Sequence, residues 1–142
     1  MRKPRAIIYD DEITLLDLFK RWMEQRGYEV LTFNEPSICP LYDEISDKCT
    51  QEHQCSDVVI TDYRMPQMTG LELFQSQHQR GCKLDVKHKA VISGDMEHEN
   101  RKLIQDMGIS FFQKPLIIPE FSEWLSECEK RIDLSAPLNP LQ

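Results

Sequence analysis

The sequence of 142 residues contains no cluster of basic residues and no apolar run that approaches the length of a membrane span. Its 17 Lys and Arg residues are outnumbered by 24 Asp and Glu residues, which gives a formal net charge of −7. Nucleic acids and anionic membranes are bound through Lys and Arg that displace counterions, so the charge argues against direct binding to either. The first residues include basic side chains but reach acidic ones too soon for a signal peptide, and we expect a cytoplasmic protein.

Internal repeats, low-complexity tracts and CxxC pairs are also absent from the sequence. The length matches one domain that can bury a core without disulfides, and it leaves no room for a second domain. In a cytoplasmic protein the five cysteines are expected to be reduced thiols or metal ligands. We therefore predict one domain over residues 3–133, followed by a loose tail over residues 134–142 that contains Pro137 and Pro140.

Short runs of β-forming residues alternate along the chain with segments of helical periodicity. The predicted strands cover residues 6–9, 28–33, 58–61, 90–93 and 110–113. The predicted helices cover residues 12–26, 41–45, 70–78, 97–107 and 118–132. Such an alternation is typical of an α/β fold with a doubly wound parallel sheet and helices on both faces.

The first predicted helix has a periodic apolar face that should pack on the sheet. The residues of this face are Leu15, Leu18, Phe19, Trp22 and Met23. Leu16 lies on the side where the same period predicts a polar residue, so we interpret Leu16 either as a contact for a partner protein or as a single exposed leucine of the kind that is common on protein surfaces.

Acidic residues follow two of the predicted strands. Asp10 and Asp11 come directly after the strand at residues 6–9, and Asp62 follows the strand at residues 58–61. If these strands are parallel neighbours, their carboxyl ends meet at one edge of the sheet and the three carboxylates gather there. Carboxylate oxygens suit hard cations such as Mg²⁺, so the pattern predicts a divalent cation site.

Two further polar residues fall at the ends of predicted strands. Ser93 closes the fourth strand and Lys114 follows the fifth. A hydroxyl and an ammonium at this edge could hold the oxygens of an incoming phosphoryl group, with Asp62 as its nucleophile. The arrangement indicates phosphoryl transfer.

Taken together, these residues resemble those of the receiver domain of two-component response regulators. The resemblance is carried by DDE at residues 10–12, DYRMPQMTG at residues 62–70, SGD at residues 93–95 and QKP at residues 113–115. It covers nearly the whole chain. The fold that we expect is accordingly a five-stranded parallel sheet in the flavodoxin-like order 2-1-3-4-5, with helices on both faces.

The resemblance implies a role for each residue of this edge. Asp62 would accept the phosphoryl group, and Ser93 and Lys114 would bind the phosphoryl oxygens. Mg²⁺ would be held by the side chains of Asp10, Asp11 and Asp62 and by the backbone carbonyl of Arg64.

The resemblance also implies how the site communicates with the rest of the domain. Phe111 would be the aromatic switch residue that turns inward when the Ser93 hydroxyl moves toward the phosphate. The Lys114–Pro115 peptide bond would be cis. Arg64 and Asp95 occupy the family's variable positions, where opposite charges could pair across the mouth of the site and slow the attack of water.

The implied function is a phosphorylation-driven switch rather than metabolic catalysis, although such domains catalyse their own phosphorylation and dephosphorylation. The phosphoryl group would come from a sensor histidine kinase or a small phosphodonor. The phosphorylated form would signal to a downstream protein effector or a phosphotransfer protein. Because no effector domain follows the last predicted helix, we expect either a stand-alone receiver or a piece of a larger regulator.

The connection over residues 34–56 departs from the family because it is long, proline-broken and rich in potential metal ligands. These ligands are Cys39, Cys49, His53 and Cys55. Three thiols and an imidazole could bind Zn²⁺ or an iron–sulfur cluster, although the spacing matches no standard motif. Cysteines are also often small buried apolar residues. The alternative hypothesis is therefore a receiver-like fold that serves as a metal- or redox-sensing binding module.

Overall fold

The structure is a computed structural model that describes residues 1–35, 48–49, 52–94 and 97–140. Its strands form one parallel sheet in the order β2-β1-β3-β4-β5. The strands are β1 (Arg5–Tyr9), β2 (Glu29–Phe33), β3 (Val58–Asp62), β4 (Lys89–Ser93) and β5 (Ser110–Gln113). The α-helices of the described ranges are α1 (Ile13–Gln25), α2 (Gly70–Gln79), α3 (His98–Asp106) and α4 (Ile118–Glu129). The predicted fold and strand order are confirmed, while the helix predicted at residues 41–45 lies outside the described residues.

Helices cover both faces of the sheet, and this explains why the central strands consist mainly of apolar residues. Every residue of β3 and β4 is buried. Because side chains alternate between the two faces, Ile7 and Val59 belong to one apolar cluster, and Ile8 and Ile60 belong to the other. No helix of the described ranges is both long and apolar enough to cross a membrane.

The face that α1 turns toward the sheet includes Phe19, Trp22 and Met23, as predicted, but differs from the prediction at residues 15, 16 and 18. Leu16 and Met23 are 6% and 0% exposed, and Phe19 packs against the same cluster. Leu15 and Leu18 are instead 37% and 57% exposed. Residues 16, 19 and 23 are spaced as i, i+3 and i+7 and therefore share one helix face. The predictions of Leu15 and Leu18 as core residues and of Leu16 as a partner contact are wrong.

Gly70 determines how α2 begins beside the end of β3. A Cβ atom at this position would lie 2.8 Å from both the backbone oxygen of Asp62 and Cγ2 of Thr61. The Gly70 N–H donates to the backbone oxygen of Tyr63 at 2.8 Å, and Thr69 caps the helix in a capping box. The loop after β3 therefore folds back closely over the strand end that carries Asp62, and a larger residue at position 70 would displace it.

The C-terminal segment is held against the domain, in contrast to the loose tail that the sequence predicts. Arg2 donates from Nε to the backbone oxygen of Ala136 at 2.7 Å, and Arg5 donates from Nη1 to the backbone oxygen of Asn139 at 2.7 Å. Asn139 is only 4% exposed. The prolines prevent a helix here, so the backbone carbonyls of this segment are available as hydrogen-bond acceptors. Arg2 and Arg5 donate hydrogen bonds to two of them.

Because His88 is buried, we predict that the stability of the domain depends on pH. Its Nδ1 lies 2.9 Å from the backbone oxygen of Asp57, and Arg131 donates from Nε to Nε2 at 3.3 Å. Burial lowers the pKa of His88, so the unfolded chain, whose histidines titrate near ~6.5, binds this proton more readily than the folded protein does. The free energy of unfolding should therefore decrease as the pH falls below about 6.5, and urea titrations at several pH values measure this.

Two variants isolate the contribution of His88 to that decrease. His88→Gln should make the free energy of unfolding less dependent on pH between about 5 and 7. His98→Gln changes an exposed histidine at the start of α3 and should leave the pH dependence unchanged. An equal pH dependence in the wild type and in His88→Gln would contradict the assignment.

Candidate functional site

The structure brings the three acidic residues together at the carboxyl ends of neighbouring strands. Asp10 and Asp11 follow β1, and Asp62 is the last residue of β3. One carboxylate oxygen from each lies within 4.8 Å of the others, and within the described part of the chain they form the one such group of potential metal ligands. Asp62 is 9% exposed, while Asp11 is exposed at the surface. Parallel pairing of β1 with β3 explains this convergence.

The surroundings of Asp10 and Asp62 disfavour the charged forms of these two carboxyl groups. Burial raises the pKa of Asp10, and the charges of Asp62 and Asp11 raise it further, while the N–H of Glu12 and the Lys114 ammonium lower it. Burial also raises the pKa of Asp62, and the negative charge of Asp11 raises this pKa further. A cation at this point would offset the repulsion between the acids. The all-oxygen donor set therefore fits Mg²⁺, which prefers carboxylate, carbonyl and water ligands.

Lys114 provides positive charge directly beside the acids. Its Nζ lies 3.2 Å from Oδ1 of Asp62 and 3.9 Å from Oδ2 of Asp10. Its backbone N–H donates to the backbone oxygen of Ser93 at 2.8 Å, which fixes the residue after β5 to the end of β4. The Lys114–Pro115 peptide bond is cis, as the resemblance implies.

Ser93 and Phe111 lie where the sequence places them, on β4 and β5. Ser93 is the last residue of β4 and is 2% exposed, one position beyond the residue that pairs with Asp62. Phe111 is half-buried, and the guanidinium carbon of Arg101 lies 4.6 Å from the centre of its ring. This cation–π contact from α3 holds one side of the aromatic ring in its observed position. Phe111 and Phe112 pack on opposite faces of the sheet because side chains alternate along a strand.

The pairing predicted between Arg64 and Asp95 stays a prediction. Arg64 is exposed in the loop after β3. Asp95 lies outside the described residues.

The described potential ligands of the cysteine-bearing connection lie toward the edge of the sheet at which the strands begin, opposite the edge that carries Asp62. Cys49 donates its backbone N–H to the backbone oxygen of Arg80, and Cys55 lies just before β3. Over the described ranges, Cys49, His53 and Cys55 do not converge as a group of three potential ligands, and Cys39 lies outside those ranges. The structure thus gives no support for a zinc or iron–sulfur site.

Sequence reasoning missed an apolar cavity next to the acids. The cavity has a volume of about 630 Å³ and extends from Asp62 and Lys114 along α1 toward the segment after β5. Its exposed wall residues include Leu15, Leu18 and Ile118. The sequence signal for the cavity was that α1 contains more apolar residues than one helix face can hold. Helical periodicity alone placed Leu15 and Leu18 in the core.

A family model for the response regulator receiver domain matches residues 6–124 of the chain. The match spans most of the chain, from β1 into α4, and includes the three acids, Ser93 and Lys114. The chain belongs to the response regulator receiver domain family.

Individual relatives agree with this assignment. A candidate two-component response regulator of Arabidopsis thaliana is 29% identical over 114 residues, which are 80% of this chain but only 17% of that protein's length. A response regulator receiver domain protein from Clostridium thermocellum is 23% identical with a TM-score of 0.69, over 90% of this chain and 95% of that one.

The non-phosphorylated HemR receiver domain from Leptospira biflexa is 21% identical with a TM-score of 0.69, over 97% of this chain and 99% of that one. At these identities the two solved structures show the fold alone.

Proposed function

We propose that this receiver domain accepts a phosphoryl group on Asp62 in a reaction that depends on Mg²⁺, and that phosphorylation switches its conformation. The observation that carries the proposal is the contact between the Lys114 ammonium and Asp62, 3.2 Å apart, beside a group of three converging carboxylates. A nucleophile, a cation-binding group and a positive charge for phosphoryl oxygens are the parts that phosphoryl transfer needs.

In the proposed reaction, the Asp62 carboxylate attacks phosphorus, the bond from phosphorus to the donor breaks, and the donor keeps the electron pair. Lys114 and the Ser93 hydroxyl bind the phosphoryl oxygens and hold them for the attack. Asp10, Asp11, Asp62 and the backbone carbonyl of Arg64 would hold Mg²⁺. When bound, Mg²⁺ supplies positive charge that offsets the negative charges of the carboxylates and the phosphoryl group.

The phosphorylated domain would favour the conformation in which Ser93 and Lys114 contact the phosphoryl group best. Phe111 would follow Ser93 inward, away from Arg101, and this would change the surface formed by α3 and β5. The proposed partners are a sensor histidine kinase as phosphodonor and a downstream effector or phosphotransfer protein.

Incubation with acetyl phosphate and Mg²⁺ tests the proposal, with intact mass spectrometry as the readout. We expect the wild type to gain the mass of one phosphoryl group, and expect no gain for Asp62→Asn or when a chelator removes Mg²⁺. Asp106→Asn, at an exposed position on α3, serves as the matched control and should gain the same mass as the wild type. No mass gain in the wild type with any phosphodonor would refute the proposed function.

The apolar cavity beside Asp62 predicts which surface a protein phosphodonor uses. A histidine kinase must place its phosphohistidine next to Asp62, and Leu15 and Leu18 lie at the mouth of the cavity that begins there. Leu18→Glu should therefore lower the rate of phosphotransfer from a cognate kinase by about tenfold or more, because it places a charge in an apolar contact. The rate with acetyl phosphate should stay unchanged.

Leu103→Glu is the matched control, since Leu103 is 48% exposed on α3 whereas Leu18 is 57% exposed on α1. It should leave both rates unchanged. If Leu18→Glu slows both donors equally, the substitution has damaged the site itself and the docking prediction is wrong.

A further inference from the structure

Residues 134–140 lie across the edge of the sheet at which the strands begin, opposite the edge that carries Asp62. We call these residues the C-terminal strap. The strap contacts the chain just before β1 and the segment just before β3, through Arg2 on one side and His53 and Gln54 on the other. It forms one wall of a cavity of about 330 Å³ that also includes His88 and Arg131.

Asn139 is the central contact of the strap. Its backbone N–H donates to the oxygen of Gln54 at 2.9 Å, and its backbone oxygen accepts from Arg5 at 2.7 Å. Its side-chain Oδ1 accepts the backbone N–H of His53 at 3.2 Å, and Nδ2 donates to the backbone oxygen of His53. The same Nδ2 lies 3.4 Å from Sγ of Cys55. One residue thus holds residues 53 to 55 in place and covers a thiol.

The strap is attached by hydrogen bonds and adds little to the apolar core. None of residues 134–140 belongs to either apolar cluster of the sheet, and Asn139 is the one buried residue among them. Segments with little buried apolar surface open at a lower free energy than the whole domain unfolds. The strap therefore has a defined closed position, and we expect that the free energy needed to release it is small.

A local turn provides the hinge. Oδ1 of Asp133 accepts from the Ser135 N–H at 2.9 Å and from its hydroxyl at 2.6 Å, and the Ala136 N–H donates to the Asp133 oxygen at 3.2 Å. These bonds are made within residues 133–136 and do not depend on contact with residues 53–55. They can persist when the rest of the strap leaves.

We propose that the C-terminal strap opens and closes about the turn at residues 133–136 while the sheet stays folded, and that its opening exposes the thiol of Cys55. Opening would thereby release the segment that leads into β3, the strand that ends at Asp62. The strap is then a moving part separate from the phosphorylation site. It requires neither Mg²⁺ nor the chemistry proposed for Asp62.

Alkylation of native protein with iodoacetamide tests this inference, with the rate at each cysteine read by peptide mass spectrometry. The full chain is compared with full-length Asn139→Ala and Asn139→Asp, and Asn100→Ala on α3 is the control. Removing the side-chain hydrogen bonds of Asn139 should raise the alkylation rate of Cys55 by about tenfold in Asn139→Ala and by less in Asn139→Asp, which keeps Oδ1. Asn100→Ala should give the wild-type rate.

The other cysteines distinguish local opening from unfolding. Cys128 is 0% exposed and packs in the core, so it should remain unreacted in every variant. Cys82 is half-buried and packs against the core cluster that contains Leu73 and Phe74, so its rate should change by less than about twofold. The inference is overturned if Cys55 reacts equally fast in the wild type and in Asn139→Ala. It is also overturned if Cys128 accelerates in the same proportion as Cys55.

Discussion

Replacing Lys114 with alanine is expected to slow phosphorylation of Asp62 by acetyl phosphate by roughly 10²–10³-fold, the usual loss when one preorganised charge stabiliser is removed. The reason is geometric, because Nζ lies 3.2 Å from the attacking carboxylate, where it can also contact an incoming phosphoryl group. The backbone around residue 114 should persist in the variant, since its bond to the Ser93 oxygen uses the main chain. Rates are measured by intact mass at saturating Mg²⁺.

Lys83→Ala is the control for a general loss of positive charge. Lys83 is exposed and lines the cavity of which the C-terminal strap forms one wall, near the edge of the sheet at which the strands begin. This variant should be phosphorylated at the wild-type rate. If Lys114→Ala is phosphorylated as fast as Lys83→Ala, Lys114 has no part in the reaction and the proposed site is wrong in this respect.

Replacing Asp57 with alanine is expected to lower the free energy of unfolding by about 2–4 kcal/mol, since it removes a buried carboxylate that accepts hydrogen bonds from a guanidinium and from a backbone N–H. Asp57 is 3% exposed and accepts from Nη1 and Nη2 of Arg2 at 2.6 and 2.9 Å. It also accepts the backbone N–H of Arg5 at 2.8 Å. One carboxylate thus joins the N-terminal residues to the start of β3. Urea denaturation measures the loss.

Asp17→Ala is the matched control for the effect of removing an ion pair. Asp17 pairs with Arg21 one turn along α1, and both side chains are more than half exposed, at 55% and 69%. Such surface pairs contribute little, and this variant should change the free energy of unfolding by less than about 0.5 kcal/mol. Equal losses for Asp57→Ala and Asp17→Ala would contradict the structural role of the buried carboxylate.

The strands could be predicted from the sequence because the fold buries the central strands on both faces, whereas their order was predicted from the resemblance to receiver domains. Runs such as VVIT and AVIS have no polar residue to interrupt them, and each ends at a polar residue that marks the carboxyl end. The convergence of Asp10, Asp11 and Asp62 then follows from parallel pairing alone. The main features of the site could therefore be predicted without coordinates.

The errors arose where a local pattern permits more than one tertiary arrangement. The apolar residues of α1 occupy more than one face, so periodicity could not decide whether Leu16 or Leu15 packs on the sheet. The contacts of the C-terminal segment depend on Arg2, Arg5 and Gln54, which are far from it in sequence. The prolines correctly indicated that this segment has no regular secondary structure, but they carried no information about the residues that it contacts.

The measurement that tests the central claim most directly is chemical identification of the phosphorylated residue. Borohydride reduces an aspartyl phosphate to homoserine, which peptide mass spectrometry locates in the sequence. After incubation with acetyl phosphate and Mg²⁺, the proposed reaction predicts homoserine at position 62 and at no other position. Homoserine at position 10 or 11, or no homoserine in a sample that has gained the mass of a phosphoryl group, would contradict it.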